Sequence, residues 1–279
     1  MQLLFNTIML EVNRWAADKT PSRPLTNLLP AVAAAGFDEL ELWQYHVSSL
    51  DDAGFAQLQA ELAANRVRCP AFGAYPVLHL QGAEAQAAEA ELDALVDRAA
   101  ALGARTFKIF PGRLASDRAS AEDRGRTVER LLRLADRLGE HNMRLTLETH
   151  GNTLCDTLDS TAALLEELAP ADHIGLCFQP YTDQDTVAAL AAYDRFAAAI
   201  EHVHLQNRGP DGACTRLADG TWIDYARFLP HIAAAGFDGL LCLEFTADLF
   251  PPEGAAFDPQ TVIDHAAADR DFVRARWPA

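Results

Sequence analysis

The chain has 279 residues, and its 40 acidic side chains outnumber its 23 basic ones, which gives a formal net charge of −17 at pH 7. A surface this acidic repels phosphate backbones and anionic lipid headgroups, which excludes non-specific nucleic-acid binding and weighs against a membrane partner. Hydrophobic residues make up 49% of the chain and charged residues 23%, which excludes intrinsic disorder and allows a sizeable core.

Short apolar runs rich in β-branched and aromatic residues alternate with longer segments of helical period along the whole chain. This alternation predicts strands joined by helices in a parallel sheet. Eight strands are predicted, at residues 3–10, 39–43, 68–74, 106–110, 144–148, 174–178, 202–205 and 240–245. The predicted helices lie at residues 25–35, 52–65, 84–102, 119–138, 160–168, 186–198, 224–235 and 261–274. Four glycines are predicted as left-handed helix C-caps, Gly36, Gly103, Gly139 and Gly236.

One sequence recurs, AAAGFD at residues 33–38 and again at residues 233–238, each time shortly after a proline and before a predicted strand. The recurrence indicates that the same corner between a helix and a strand is built twice. Eight strand-helix units in 279 residues favour a single (β/α)8 TIM barrel, one domain over residues 1–279. An open dinucleotide-binding sheet is disfavoured, because no G-x-G-x-x-G follows the first strand and no Walker sequence occurs.

The sequence carries no signal for a membrane or secretory destination. No apolar run reaches the roughly 20 residues that cross a bilayer, and residues 1–15 lack the features of a secretion signal. We therefore expect a cytoplasmic protein. The cysteines are odd in number and form no CxxC pair, so we expect reduced, mostly buried thiols. They are Cys69, Cys155, Cys177, Cys214 and Cys242.

Polar residues end four late strands, where the active sites of such barrels lie. They are Glu148, Gln179, His204 and Glu244. A carboxylate at the end of a buried strand costs several kcal/mol to desolvate unless it meets a cation. Together these nitrogen and oxygen donors suit a divalent ion such as Mn²⁺ or Mg²⁺. The alternative is that the glutamates form buried salt bridges with Lys108 or Arg208 and that His204 is a core histidine.

Strands five to eight carry, in order, a glutamate, a polar residue, a histidine and a glutamate, and the sequence GFDELELW at residues 36–43 leads into strand two. In these features the chain resembles the xylose isomerase-like TIM barrels. This is the sugar phosphate isomerase/epimerase superfamily. Within it, residues 141–158 are similar to the bacterial 3-dehydroshikimate dehydratases. The resemblance implies a divalent metal ion (Mn, Mg, Co or Zn) bound by Glu148, His204 and Glu244, with Gln179 where an aspartate is usual.

The chain also departs from the dehydratases. Gln206 stands where they carry a lysine and Thr182 where they carry a histidine. Both changes remove a group that is charged or able to titrate, so they weigh against dehydration.

The resemblance implies an isomerase or epimerase that moves a proton next to a carbonyl through a metal-stabilised enediolate, with Glu148 and Glu244 as acid and base. His150 is a candidate proton relay or a histidine that orients a ligand. The predicted substrate is a non-phosphorylated polyol, sugar or cyclic hydroxy acid, and assembly into a homo-oligomer is left open. Candidate substrate-contacting residues are Glu41, His46, Lys108, Gln206 and Arg208.

Three alternatives stay open. The first is a lyase of the dehydroshikimate dehydratase type, and the second is a sugar-binding barrel with impaired catalysis. The third, a nuclease that cuts DNA at apurinic sites, needs a basic face and more metal ligands, and the net charge of −17 argues against it.

Overall fold

Eight parallel strands close into a barrel in this computed structural model, which describes residues 1–250 and 256–278. Each strand pairs with its neighbours in sequence, and the last pairs with the first to complete the ring. The strands are β1 (Gln2–Asn6), β2 (Glu39–Trp43), β3 (Arg68–Ala74), β4 (Thr106–Ile109), β5 (Arg144–Glu148), β6 (Ile174–Phe178), β7 (Ile200–Leu205) and β8 (Leu240–Leu243). The predicted barrel is confirmed.

Helices connect successive strands on the outside of the barrel. They are α1 (Leu29–Ala34), α2 (Tyr45–Ser48), α3 (Asp52–Ala64), α4 (Gly82–Ala101), α5 (Ala121–Gly139), α6 (Leu158–Leu168), α7 (Thr186–Phe196), α8 (Tyr225–Ala234) and α9 (Pro259–Arg276). Short polar residues begin many of them, because their side chains accept hydrogen bonds from free backbone N–H groups of the first turn. In α5, Ser120 and Asp123 form a reciprocal capping box. Among the described residues, no helix has both the length and the apolar character needed to cross a bilayer.

The recurring helix-to-strand corner has the same conformation in both copies. Gly36 and Gly236 each adopt φ of 83°, a left-handed value that side chains disfavour. In both copies the following phenylalanine N–H, that of Phe37 or Phe237, donates to a carbonyl five residues earlier, which is the Schellman pattern. The prediction that one corner is built twice is confirmed.

Two local predictions were wrong, and one small element was not predicted. The first strand ends at Asn6, and residues 7–10 form a 3₁₀ helix because the Asn6 side chain accepts a hydrogen bond from the N–H of Ile8. Gly139 is the last residue of α5, and Asn142, with φ of 57°, makes the left-handed turn instead. A two-stranded hairpin, Asn207–Arg208 with Cys214–Thr215, was not predicted because strands of two residues carry no periodic signal.

The interior of the barrel changes character along its axis. A small apolar cluster is formed there by Leu4, Ala71, Leu240 and Cys242. Nearer the carboxyl ends of the strands, alternate inward positions carry buried charged and polar groups instead. The main core lies between the outer barrel face and the helices. All five cysteines are free thiols, and four of them are buried, as expected.

Candidate metal centre

A cavity of about 370 Å³ opens at the carboxyl ends of the strands. Most of its lining residues end a strand or follow one directly, which is why the fold gathers them. They are Ile8, Arg14, Trp15, Lys19, Trp43, Tyr75, Phe110, Arg113, His150, Gln179, Gln206, Arg208, Glu244 and Phe245. The volume lies within the usual range for a small-molecule site, and apolar walls with a few polar groups are typical of one.

Glu244 lines this cavity, and Glu148 and His204 converge on it from the interior. Nδ1 of His204 lies 3.3 Å from Oε2 of Glu244 and 3.7 Å from Oε1 of Glu148. One ligand atom from each residue lies within 4.8 Å of the other two, and all three side chains are buried. The three residues come from β5, β7 and the end of β8, so barrel closure alone brings them together.

Lys108 of β4 supplies a buried positive charge next to this group. Its ammonium lies 2.8 Å from Oε2 of Glu148 and 3.6 Å from Oε1 of Glu41, and it donates to the Tyr75 hydroxyl at 3.3 Å. Burial raises the pKa of Glu148, but Lys108 and His204 together outweigh burial and lower the pKa to about 2. Glu148 is therefore ionised at neutral pH, and its other oxygen, Oε1, faces His204.

Two glutamines line the same cavity as Glu244. The amide of Gln206 donates to Oε2 of Glu244 at 3.0 Å. The backbone of Gln179 is held by Thr149, whose hydroxyl donates to its carbonyl at 2.7 Å and accepts from its N–H at 2.8 Å. This reciprocal pair ties the end of β6 to the end of β5 and places Gln179 in the cavity wall.

The donor atoms fit a divalent cation. Nδ1 of His204, Oε1 of Glu148 and Oε1 of Gln179 are buried and make no hydrogen bond with the described residues. Leaving such atoms unsatisfied costs about 1–3 kcal/mol each. Nitrogen and oxygen ligands without a thiolate suit Mn²⁺, Mg²⁺, Co²⁺ or Zn²⁺.

Charge balance is consistent with this fit. Three buried carboxylates, Glu41, Glu148 and Glu244, face one ammonium, which leaves two negative charges when the histidines are neutral. A divalent cation supplies that balance. Protons on the imidazoles supply it too, because the pKa of His204 is raised well above its usual range. Burial opposes that change, but Cys177 and the surrounding carboxylates together outweigh burial.

Two residues expected at the substrate do not line the cavity. Glu41 is an interior residue of β2 and lies behind His204, whose Nε2 is 2.9 Å from its Oε2. His46 lies in α2, where its Nε2 is 3.2 Å from the Thr7 carbonyl, and burial lowers its pKa to about 4. Sequence reasoning placed both at the mouth because they end or follow a strand, but the side chain of Glu41 points across the interior.

The remaining candidates lie at or near the cavity. His150 lines it, with its ring stacked 4.3 Å from that of Phe110 and its Nδ1 2.7 Å from the Gly151 carbonyl. Arg208 lines it with its guanidinium over the Trp222 ring. Lys108 is fully buried and reaches the cavity only through its contacts with Glu148 and Tyr75.

One residue that sequence reasoning did not assign belongs to the same group of buried polar side chains. His202, two positions before His204 on the inner face of β7, lies with its Nε2 3.2 Å from Oε2 of Glu41. Burial lowers the pKa of His202, but Cys177 and Glu41 outweigh it and raise the value to about 9. Because side chains along a strand alternate between its two faces, the sequence already indicated that His202 shares the inner face with His204, two positions later.

A larger groove of about 620 Å³ lies at the opposite end of the barrel, at the amino ends of β2 and β3. Its lining includes the ion pair between Arg68 and Glu39, in which the arginine is exposed. Active sites of such barrels lie at the carboxyl ends of the strands. We therefore place the functional site at the smaller cavity, where buried titratable groups converge.

Comparison with known proteins gives one curated relative, the 3-dehydroshikimate dehydratase of Bacillus anthracis. It is 26% identical over 190 residues, which is 65% of this chain. The match spans 66% of that protein's own length, slightly under two thirds.

Solved structures resemble this chain over nearly its whole length. The probable 3-DHS dehydratase AsbF of Bacillus anthracis has a TM-score of 0.75 at 19% identity and covers 97% of this chain and 99% of its own. The D-psicose 3-epimerase of Clostridium cellulolyticum H10, solved with D-tagatose, has a TM-score of 0.77 at 16% identity, with full coverage of both chains. At these identities the likeness establishes the fold.

A third solved structure, a xylose isomerase-like TIM barrel protein from Mycobacterium smegmatis in complex with magnesium, has a TM-score of 0.70 at 15% identity. It covers 98% of this chain and 95% of its own. The family profile described as xylose isomerase-like TIM barrel matches residues 29–266, which is most of the sequence. The chain therefore belongs to the xylose isomerase-like TIM barrel family.

Proposed function

We propose that this protein is a divalent-metal-dependent isomerase or epimerase of a small polyhydroxylated carbonyl compound. The observation that carries the proposal is the convergence of Glu148, His204 and Glu244, with unsatisfied ligand atoms on Glu148 and His204, beside a cavity of about 370 Å³ that Glu244 lines. Glu148, His204, Glu244 and the amide oxygen of Gln179 would hold the ion. When bound, a divalent ion supplies Lewis-acid polarisation of the substrate carbonyl.

The chain's own groups divide the proton transfer. Lys108 holds Glu148 ionised and occupies one of its oxygens, which suits Glu148 to ligation more than to proton abstraction. Glu244 lines the cavity and receives a hydrogen bond from the neutral amide of Gln206. We assign proton abstraction next to the carbonyl to Glu244, the return of a proton to His150, and ligation of the ion to Glu148.

A second candidate function, a lyase that removes water from a cyclic hydroxy acid, is favoured by the dehydratase relative at 26% identity. Arg113 and Arg208 in the cavity lining suit a substrate carboxylate. Both reactions begin with removal of a proton next to a carbonyl. They differ in the next step, because a lyase expels a hydroxyl group whereas an isomerase returns the proton.

The test is turnover in D₂O with Mn²⁺, Mg²⁺, Co²⁺ or Zn²⁺, with D-tagatose, D-fructose and 3-dehydroshikimate as separate substrates. We expect deuterium to enter the ketose next to its carbonyl, as followed by NMR, and we expect chelation to stop it. Glu148→Gln and Glu244→Gln are each expected to lower the rate by at least about 100-fold. Loss of water from 3-dehydroshikimate without ketose exchange would establish the lyase instead.

The matched control is Glu201→Gln, which makes the same chemical change on β7 at a residue paired with Arg144 on the outer side of the barrel. It is expected to keep the wild-type rate. A wild-type protein that binds no Mn²⁺ at millimolar concentration would contradict the proposal.

A further inference from the structure

The carboxylate of Glu41 faces both histidines of β7. Its Oε2 lies 2.9 Å from Nε2 of His204 and 3.2 Å from Nε2 of His202, and its side chain is almost fully buried. Its other oxygen lies 3.6 Å from the ammonium of Lys108. The contact spans 163 residues and crosses the interior, because β2 and β7 are not neighbours in the sheet.

The chemistry of this contact fixes the tautomer of His204. A carboxylate surrounded by an ammonium and two imidazoles is ionised and can only accept hydrogen bonds. Nε2 of His204 therefore carries a proton and donates it to Glu41. This leaves Nδ1, the nitrogen that lies between Glu148 and Glu244, as the ring atom whose lone pair is available for a metal ion.

Space for this carboxylate is provided by β3. A Cβ atom at Gly73 would lie 2.9 Å from Oε1 of Glu41 and 3.3 Å from Cε of Lys108. The absence of a side chain at this position lets Glu41 and Lys108 meet in the interior. The missing side chain at Gly73 of β3 thus leaves the space in which Glu41 reaches His204.

We propose that Glu41 is a positioning residue that holds His204 with Nδ1 directed to the metal site, and that it does not contact substrate. The inference rests on the proposed function, because it gives Glu41 a role toward the ion that Glu148, His204 and Glu244 would hold. Carboxylates that accept from a ligating histidine typically contribute 10–100-fold to metal affinity.

A competing role for Glu41 is direct ligation. Atoms of Glu41, His202, His204 and Cys242 also lie within 4.8 Å of one another. Two observations argue against a second ion there. The ammonium of Lys108 lies beside the carboxylate, and the Nε2 atoms of both histidines are already within hydrogen-bond distance of one carboxylate oxygen.

The test measures Mn²⁺ affinity by electron paramagnetic resonance and the His204 tautomer by ¹⁵N NMR of the Zn²⁺-loaded protein. In the wild type we expect one ion per chain and a proton on Nε2 of His204, assigned by comparison with His204→Ala. Glu41→Ala is expected to weaken Mn²⁺ binding about 10–100-fold. Glu41→Gln keeps an acceptor oxygen and should lose less. The matched control is Glu39→Gln, two residues earlier on β2 and paired with Arg68, which should leave affinity unchanged.

The outcomes separate the two proposals. If wild-type protein binds no Mn²⁺, the proposed function fails. If the wild type binds Mn²⁺ and both Glu41→Ala and Glu41→Gln bind it as tightly as the wild type does, only the positioning role fails. The wild-type spectrum decides even if the variants do not fold, because a His204 proton on Nδ1 overturns the inference. A second Co²⁺ ion with a thiolate charge-transfer band that disappears in Cys242→Ser would make Glu41 a ligand and overturn it as well.

Discussion

Charge at single residues decides how strongly this centre can hold a cation. Lys108 neutralises part of the negative charge of Glu148, and Gln179 contributes a neutral amide oxygen to the cavity wall. Calcium and related hard-cation sites tune affinity over several orders of magnitude through the number of charged ligands. At Gln179, replacing the amide nitrogen by an oxygen, as in glutamate, should therefore change the affinity for the metal ion most directly.

We predict that Gln179→Glu tightens Mn²⁺ binding by at least about tenfold, because it adds a negative charge without changing side-chain shape. The dissociation constant measured by electron paramagnetic resonance checks it. Gln57→Glu, which adds the same charge at an exposed position of α3, is the control and should have no effect. Equal affinities for Gln179→Glu and the wild type would show that this side chain does not reach the ion.

At the scale of elements, β3 acts as a spacer between two strands that carry interior charges. Gly73 is paired in register with Trp43 of β2 and Lys108 of β4, so its missing side chain opens room on the inner face. Interior positions of small barrels are filled by side chains from alternate strands. Here the room left by a glycine is taken by the charged ends of Glu41 and Lys108.

Gly73→Ala is accordingly expected to lower the free energy of unfolding by about 1–3 kcal/mol, the usual result of overpacking a filled interior. Urea denaturation measures this change. Gly125→Ala in α5 is the control, because its Cβ would meet no atom within 4 Å. That variant should gain about 0.5–1 kcal/mol from better helix propensity. A neutral effect of Gly73→Ala would mean that the interior charges can shift to make room.

At the scale of the whole molecule, the C-terminal helix is tied to the barrel through a buried acid. Asp269 of α9 accepts from the N–H of Leu217 at 2.8 Å and from the hydroxyl of Thr246, just beyond β8, at 2.6 Å. It thereby joins α9, the connection after β7 and the last strand. Burial raises the pKa of Asp269 to about 6, against 3.8 for an ordinary aspartate.

The raised pKa makes the folded state hold the Asp269 proton more tightly than the unfolded chain between about pH 4 and pH 6. The contribution of Asp269 to stability is therefore fully present below about pH 4 and is lost as the pH rises through 6. We predict that the unfolding free energy of Asp269→Asn, relative to the wild type, increases by up to about 3 kcal/mol across this range. Urea denaturation at several pH values measures this difference. Unfolding free energies that change with pH by the same amount in both proteins would refute the prediction.

Much of the barrel could be predicted because its information is local. Strand period, helix caps and the glycine corners depend on neighbouring residues, and the bounds of β2, β3, β5 and β6 agree with prediction to the residue. The 3₁₀ helix after β1 was missed because apolar residues 7–10 continue the strand pattern. The candidate ligands were also identifiable, because a polar side chain that ends an apolar strand is a local departure from the pattern.

The sequence by itself determined the eight strands, their connecting helices, the acidic charge and the polar strand ends. Only the tertiary structure decided that Lys108 pairs with Glu148 and that Glu41 faces His202 and His204 and does not line the cavity. The physical reason is that these contacts join strands across a closed interior. Which inward side chains meet there depends on barrel closure and register, and no local pattern encodes those distances.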